Sequence, residues 1–356
     1  MGLKYITTVC ILLILIPIFS SNALAWARHD QMTAEVVRDL GWLDRFDSVT
    51  VTEYGYDDPT INQVRMRYYN ERPGELGPDD FYYHALYEPV LFFKGAKLAE
   101  KTDARQILTD FSDEPDWEMD QNLDLSWMQG FSGESQGYRH MYYPTWSFHV
   151  PMGFIAQGQT PERADHFYSM AKMAFERGDT YWGFRYLART LHYLQDMAQP
   201  YHTRQLYWRF ISLKDPYYGT IQTIKNYHFT YESYTANLFR LEQQDAMPKR
   251  LVSALRYSLP VETDSPSDLA KYIARRSYWK SSVTMKGSID FFGERYLGPG
   301  GAAMTKDEFF EDIHRADPAA EAFQEDIESR MVLVGKATKS FLEFARKDLN
   351  LDEYEQ

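Results

Sequence analysis

The sequence predicts an all-α protein, folded as a single-domain helical bundle. Apolar residues recur at positions i, i+3, i+4 and i+7 with polar faces between them, which is the period of an amphipathic helix. Strand-like alternation of apolar and polar residues is scarce. Glycine and proline cluster only in a few short stretches. The segments with the helical pattern are 161–177, 179–198, 228–245 and 317–349.

The predicted helices follow one another with polar or Gly/Pro-rich connections. We expect loops where Gly and Pro concentrate, at 73–78, 130–137 and 298–301. The segment 317–349 is the longest predicted helix, and we expect it to complete the bundle. No repeat and no low-complexity tract separates parts of the chain. We therefore expect one domain over residues 26–356.

The first 25 residues have the pattern of a secretory signal peptide. Lys4 precedes an apolar run, and Ala23-Leu24-Ala25 fits the small-x-small rule for cleavage between Ala25 and Trp26. The run contains Pro17 and is shorter than the ~20 apolar residues that a membrane span needs. We predict a secreted or periplasmic protein whose mature chain begins at Trp26.

The composition limits how the mature chain can be stabilised and which partners it can bind. Its one cysteine, Cys10, lies in the predicted signal peptide, so disulfides cannot stabilise the mature protein. The formal net charge is −13, and loss of Lys4 makes it −14. So acidic a surface repels a polyanion such as nucleic acid unless a metal or a basic patch intervenes. We expect a monomer.

The stretch HYLQDMAQPYH at 192–202 places two of the nine histidines around an acid. On a helix, His192 and Asp196 are four residues apart and project from one face, where an imidazole and a carboxylate can share a metal ion. His202 would point elsewhere on an unbroken helix. Pro200 conflicts with the carbonyl of Asp196, and the resulting break can redirect His202 to the same pocket.

A second pair, His228 and Glu232, repeats the i, i+4 spacing at the start of another predicted helix. One such pair is weak evidence, because it is more often a surface hydrogen bond. Two pairs on neighbouring helices, with His202 between them, supply ligands from rigid elements, as metal sites in helical bundles do.

With these motifs the sequence resembles the superfamily of zinc-dependent phospholipases C and S1/P1 nucleases. That superfamily consists of secreted α-helical enzymes with three zinc ions, carrying H-Y/F-x-x-D-x-x-x-P-x-H followed by H-x-x-x-D/E. Its mature chains begin with a tryptophan, and the expected cleavage here gives WARH. The stretches FSDEPDW and RHMYYP are similar to the family's remaining ligand segments. The matching positions span 26–232, and the C-terminal third carries no such motif.

The resemblance implies a trinuclear zinc site at the centre of the bundle, with Asp196 bridging two ions. It assigns one zinc to Asp113, His140, His192 and Asp196. A second would be bound by His202, His228 and Glu232. The third would be bound by the amine and carbonyl of Trp26 together with His29, and Asp196 would bridge it to the first. Asp113 would also orient the attacking water. Asp116 is the alternative to Asp113, which we prefer because it follows a small residue.

The resemblance favours the phospholipase C branch, whose members release a phosphorylated headgroup from a phospholipid. Glu232 and RHMYYP are closer to that branch, and the acidic surface agrees with it. The substrate would then be a phospholipid or another phosphodiester, with transient contact to a membrane surface. Glu114 and Gly137 stand where choline-selective members have aromatic residues, so the headgroup pocket is not carried over. The alternative is a single-strand nuclease of the S1/P1 type, with nucleic acid as its partner.

Two interpretations from other classes remain. GESQG at 133–137 matches the G-x-S-x-G nucleophile elbow of serine hydrolases, with Ser135 as nucleophile, but that elbow needs a preceding strand, and none is predicted. A non-catalytic binding protein could instead use zinc to stabilise the bundle in place of disulfides. A site without an open coordination position would favour that interpretation.

Overall fold

The computed structural model describes residues 28–71, 95–123, 135–144, 158–204, 207–215, 218–297 and 304–354. Twelve α-helices occur in these ranges, and the prediction of an all-α protein is confirmed there. They are α1 His29–Val37, α2 Gln63–Glu71, α3 Ala104–Phe111, α4 Ser135–Arg139, α5 Thr160–Glu176, α6 Thr180–Asp196, α7 Pro200–Thr203, α8 Tyr218–Gln243, α9 Arg250–Tyr257, α10 Pro266–Phe292, α11 Lys306–Ile313 and α12 Pro318–Asp348.

Extended structure within the described ranges is limited to two short strands. They are β1, Val49–Thr50, and β2, Lys101–Thr102, which pair antiparallel with Val49 opposite Thr102. Four short 3₁₀ turns connect other elements, at Gly41–Phe46, Glu114–Asp116, Trp208–Phe210 and Gly293–Tyr296. In the described part of the chain, no helix is both long enough and apolar enough to cross a bilayer.

Helix α6 lies at the centre of the molecule. All of its 17 residues are buried, and it packs against α5, α3 and α12. Asp179 caps its N-terminus by accepting a hydrogen bond from the amide of Trp182. Gly183 allows the close approach of α5, since a Cβ there would lie 2.7 Å from the ring of Phe175. A helix buried on every side holds its side chains in fixed positions, which is what a ligand site needs.

The long helices α10 and α12 pack against each other and enclose the other side of the core. Each begins with a capped turn followed by proline: Ser265 accepts from the amide of Asp268, and Asp317 accepts from the amide of Ala320. Helix α9 approaches α12 at Gly335, where a Cβ would overlap the carbonyl of Leu255.

Three of the predicted helices have nearly the expected bounds, and the fourth does not. Helices α5, α6 and α12 correspond to 161–177, 179–198 and 317–349. Helix α8 begins ten residues before the predicted 228, so His228 lies within the helix and not at its start. The predicted loops at 73–78 and 298–301 lie outside the described residues. The loop predicted at 130–137 is described only from Ser135, where helix α4 begins, so that part of the prediction is wrong.

Candidate metal centre

The end of α6 presents the first group of candidate ligands. His192 and Asp196 are fully buried and project from one face, as their spacing predicts. His140 joins them from the residue after α4, with its Nδ1 3.0 Å from Asp196 Oδ2 and 3.0 Å from His192 Nε2. One ligand atom from each of these residues lies within 4.8 Å of the others, which fits a shared metal ion.

The second group combines α7 and α8. The helix that carries His192 ends at Asp196, and Pro200 begins the short α7, which brings His202 toward α8. His202 Nε2 lies 3.1 Å from His228 Nε2, which lies 2.9 Å from Glu232 Oε1. The predicted redirection of His202 by Pro200 thus brings it to the pair on α8, and all three side chains are buried.

A third group includes the histidine at the start of α1. His29 Nε2 lies 3.4 Å from Asp196 Oδ1, and ligand atoms of His29, Asp116 and His192 lie within 4.8 Å of one another. Trp26, which the sequence predicts as a further ligand here, lies outside the described residues. Its position is therefore still a prediction.

The carboxylate of Asp196 lies between the groups. Its Oδ2 faces His140 and His192, and its Oδ1 faces His29 and, at 3.5 Å, His202 Nδ1. Burial alone would raise the pKa of Asp196, but the surrounding histidines hold it well below its usual range. The residue is therefore an anion at the centre of four imidazoles, in the place suited to a bridging ligand.

The structure distinguishes Asp113 from Asp116 by their contacts. Asp116 Oδ1 lies 3.6 Å from His140 Nδ1 and 3.6 Å from His192 Nε2. Asp113 accepts a hydrogen bond from the amide of Asp30 at 3.3 Å, and burial together with the charge of Asp30 raises its pKa well above the usual value. This geometry favours the alternative, Asp116, as the carboxylate of the first group, and leaves Asp113 beside α1.

Glu114, between these two acids, holds the segment in place. It is fully buried and forms ion pairs with Arg185 and with Arg189, whose Nε lies 2.7 Å from Glu114 Oε2, both on α6. Burial would raise the pKa of Glu114, but the two guanidinium groups lower it to about 2. Glu114 therefore fixes the 3₁₀ turn Glu114–Asp116 to α6, the helix that carries His192 and Asp196.

In three of the candidate histidines, the ring nitrogen that points away from the other candidate ligands contacts an oxygen atom of the protein. His192 Nδ1 lies 2.8 Å from the carbonyl of Ser112, and His29 Nδ1 lies 2.7 Å from Gln195 Oε1. A ring nitrogen that donates to an oxygen leaves the other nitrogen's lone pair available to a metal. In both rings that other nitrogen, Nε2, faces the acids of the site.

In His140 the two ring nitrogens have exchanged roles: Nε2 contacts a protein oxygen outside the site, and Nδ1 faces the candidate ligands. Its Nε2 lies 3.3 Å from Asp120 Oδ2, while Nδ1 faces Asp196. Burial would raise the pKa of Asp120, but Arg163, His140 and Arg139 hold it well below its usual range. His140 Nε2 therefore faces an ionised carboxylate, and it also lies 3.0 Å from the amide nitrogen of Gln136, which donates to the carbonyl of Pro115 at 3.1 Å.

Sequence reasoning missed Asp120, Gln195 and Gln199. Gln195 donates to Thr33 and Thr338 while it accepts from His29, and Gln199 donates to Glu232 Oε1 at 3.0 Å. Both glutamines lie within the motif 192–202. Gln195 is a polar residue on the wholly buried helix α6, whereas Gln199 lies beyond the end of that helix, as the N-cap of α7. Asp120 had no such signal, because its partners Arg139, Arg163 and Tyr193 come from distant segments.

The fit of a metal is tested by the buried polar atoms that lack a hydrogen-bond partner. His29 Nε2, Asp196 Oδ1 and His202 Nδ1 are all buried without one. The two nitrogens lie 3.4 and 3.5 Å from the carboxylate oxygen. Buried polar atoms without a partner are costly, so convergent ones indicate a bound species that satisfies them. Nitrogen and carboxylate donors are the set that zinc prefers.

The structure describes the surroundings of Ser135 from the start of α4 onward. It is the first residue of α4, it is buried, and its hydroxyl accepts a hydrogen bond from the amide of Leu123 at 3.1 Å. The residues before it, 124–134, lie outside the described ranges.

We predict that Ser135→Ala leaves hydrolysis nearly unchanged, because the hydroxyl accepts a structural hydrogen bond. Its loss should cost about 1 kcal/mol of stability. Initial rates and thermal unfolding of the variant and the native protein would check this. Complete loss of activity in a folded Ser135→Ala protein would support the serine-hydrolase interpretation instead.

Comparison with known proteins gives little beyond the geometry. No family model matches the chain, and no curated protein sequence is similar to it. Among solved structures, the chain is similar to an alpha toxin from Clostridium absonum, with 13% identity, 69% of this chain covered and a TM-score of 0.33. A Clostridium perfringens alpha-toxin from the avian strain SWCP gives 13% identity, 68% coverage and the same TM-score.

The chain spans little more than half the length of these solved chains, 55% and 54% respectively. At this identity and TM-score, neither likeness assigns a function to the chain.

Proposed function

We propose that the protein is a zinc-dependent phosphodiester hydrolase, and that its substrate is a phospholipid from which it releases a phosphorylated headgroup. The observation that carries the proposal is the convergence of His29 Nε2, Asp196 Oδ1 and His202 Nδ1, all buried and without a partner. Three groups of buried histidine, aspartate and glutamate side chains supply enough donors for more than one ion.

The proposed ligand sets draw on the three groups, with Asp116 and His192, which lie near both His29 and His140, assigned to the first. Asp116, His140, His192 and Asp196 would hold one zinc, and His202, His228 and Glu232 a second. The third would be held by His29 and Asp196 with the amine and carbonyl of Trp26, which requires cleavage of residues 1–25 as a signal peptide. Asp113 remains a predicted catalytic residue, beside His29. Residues 26–356 would then form one secreted domain.

When bound, zinc ions supply an activated water and neutralise the charge of a phosphate. The protein side chains orient and balance these ions. Asp120, Gln195 and the carbonyl of Ser112 fix the rings of His140, His29 and His192, so that their free nitrogens face one region. Asp196 brings a negative charge between the groups, which balances bound cations. Burial raises the pKa of Glu232 to about 8, so its carboxyl would release a proton when it binds an ion. Phosphodiester hydrolysis needs bound cations, because the substrate is itself an anion.

The test is hydrolysis by the mature, zinc-loaded protein of phosphatidylcholine, other phospholipids and single-stranded DNA. We expect diacylglycerol and a phosphorylated headgroup from at least one phospholipid, much faster than nucleotides from DNA. The acidic net charge slows the approach of a polyanion. Rapid DNA cleavage with no phospholipid cleaved would favour the nuclease alternative. Zinc binding without either activity would favour the binding protein.

Asp120→Asn should weaken zinc binding about 10–100-fold, the usual effect of losing the carboxylate that orients a ligand histidine. Competition with a zinc-binding indicator would measure the affinity. Asp58→Asn is the matched control, because Asp58 is equally buried and contacts His166, which we assign to no metal. Unchanged zinc affinity in a folded Asp120→Asn protein would remove Asp120 from this role.

A further inference from the structure

The outer face of α10 differs in charge from the rest of the protein. Between residues 269 and 289 the helix has five basic side chains and no acidic one, in a chain whose net charge is −13. Four of the basic residues lie on its exposed face, together with Trp279 and Val283, whose side chains are 74% and 56% exposed. These four are Arg275, Arg276, Lys280 and Lys286.

The segment 207–215 continues this face. It exposes Trp208, Ile211 and Leu213 by 71%, 45% and 92%. Arg209 connects it to the end of α10 by an ion pair with Asp290 at 3.3 Å. We call the exposed residues of 207–215 and 271–290 together the basic–aromatic face.

Residue by residue, the face is both cationic and apolar. The two segments 207–215 and 271–290 together contain seven basic residues and two acidic ones, and one of the acids, Asp290, is paired with Arg209 and Lys286. Of the twelve large hydrophobic side chains exposed in the described part of the chain, five lie here. Single exposed hydrophobic residues are ordinary, but five within one basic surface indicate an interaction site.

The face adjoins the candidate metal centre through α7. The inner side of α10 contacts the segment that carries His202, because Ser277 donates to the carbonyl of Ala198 at 3.1 Å and Tyr201 donates to Ser288 at 3.1 Å. Arg204, two residues after His202, reaches Ser282 on the same helix at 2.8 Å. In sequence, the proposed ligand His202 lies five positions before the segment 207–215, which forms part of the basic–aromatic face.

We propose that the basic–aromatic face binds the surface of an anionic phospholipid bilayer. Tryptophan and aliphatic side chains enter the interface between headgroups and acyl chains, while lysine and arginine contact the anionic headgroups. A nucleic acid would match the charge but would leave Ile211, Leu213 and Val283 in water. This proposal rests on the proposed function for its substrate class. It places a lipid surface beside the site that would cleave the lipid.

The test measures binding of the full mature protein to vesicles of phosphatidylcholine with and without phosphatidylglycerol. We expect binding to the anionic vesicles that weakens as salt rises. The pair Arg276→Glu and Lys280→Glu should lower the affinity by about fivefold or more for each cation removed. Trp208→Ala with Trp279→Ala should reduce it at least tenfold. Tyr257→Ala and Lys97→Glu, which alter exposed residues elsewhere, should bind as the native protein does.

The outcomes separate this proposal from the proposed function. All variants should hydrolyse a water-soluble phosphodiester at the native rate, since none alters a candidate ligand. If the native protein binds anionic vesicles but hydrolyses no phosphodiester, the proposed function fails and the surface stands. If the native protein does not bind them, or if the four substitutions leave binding unchanged, the surface proposal is wrong. If vesicle binding is absent and the substitutions instead abolish self-association or RNA binding, the surface serves another partner and the proposal is equally wrong.

Discussion

Asp196→Asn should abolish zinc binding and hydrolysis together, in a protein that still folds. Asp196 has its two oxygens facing different groups of histidines, and asparagine keeps the size of the side chain but removes its charge. Without that charge, the ions we assign to this residue repel each other across a neutral amide. We expect a loss larger than the ~10–100-fold typical of residues that only orient a ligand.

Metal content by mass spectrometry and initial hydrolysis rates would measure both effects in the Asp196→Asn protein. Asp312→Asn is the control, because Asp312 is also buried and ion-paired, but with Arg295 and Arg315. Native zinc content and native turnover in Asp196→Asn would contradict the role of Asp196.

Glu114→Gln should destabilise the protein by about 3–5 kcal/mol, the cost of removing one partner from a buried ion pair. Glu114, Arg185 and Arg189 are fully buried, so the variant removes the carboxylate charge with which both guanidinium groups pair in the core. Urea unfolding would measure the change. Glu328→Gln, at an exposed pair with Arg250, should cost less than about 1 kcal/mol.

The pH dependence gives Glu114 a second readout. The pKa of Glu114 is lowered to about 2 in the folded protein, from an ordinary value of 4.5. Its contribution to stability is therefore fully present above pH 4.5 and is lost as pH falls toward 2. The difference in unfolding free energy between native protein and Glu114→Gln should shrink over that range. A constant difference would show that the carboxylate charge is not what stabilises the pair.

Local spacing predicted the part of the site that lies on single helices. The i, i+4 pairs His192–Asp196 and His228–Glu232 each lie on one face because a helix brings such residues together whatever surrounds it. The effect of Pro200 on His202 was predictable for the same reason, since the steric conflict is local. The choice between Asp113 and Asp116 was not. The 3₁₀ turn that separates them takes its position from Glu114 and two arginines more than 70 residues away.

Helix α10 was missed because hydroxyl residues interrupt the apolar stripe on its buried face. Ser277, Ser281, Thr284 and Ser288 are buried where a helix usually places aliphatic residues. Their hydroxyls bond to the helix itself or to neighbours such as Tyr201. A period-3.6 search for apolar residues therefore finds no continuous stripe over this segment. Small hydroxyl side chains still allow the close packing of α7 and α12 against it.

The most direct measurement of the central claim is the zinc content of the purified mature chain, beginning at Trp26, together with its hydrolytic rate before and after chelation. The account predicts three zinc ions per chain, loss of hydrolysis of both phospholipid and a soluble phosphodiester when zinc is removed, and recovery when it is returned. A mature, folded chain that binds no zinc, or that hydrolyses phosphodiesters equally well without it, would contradict the account.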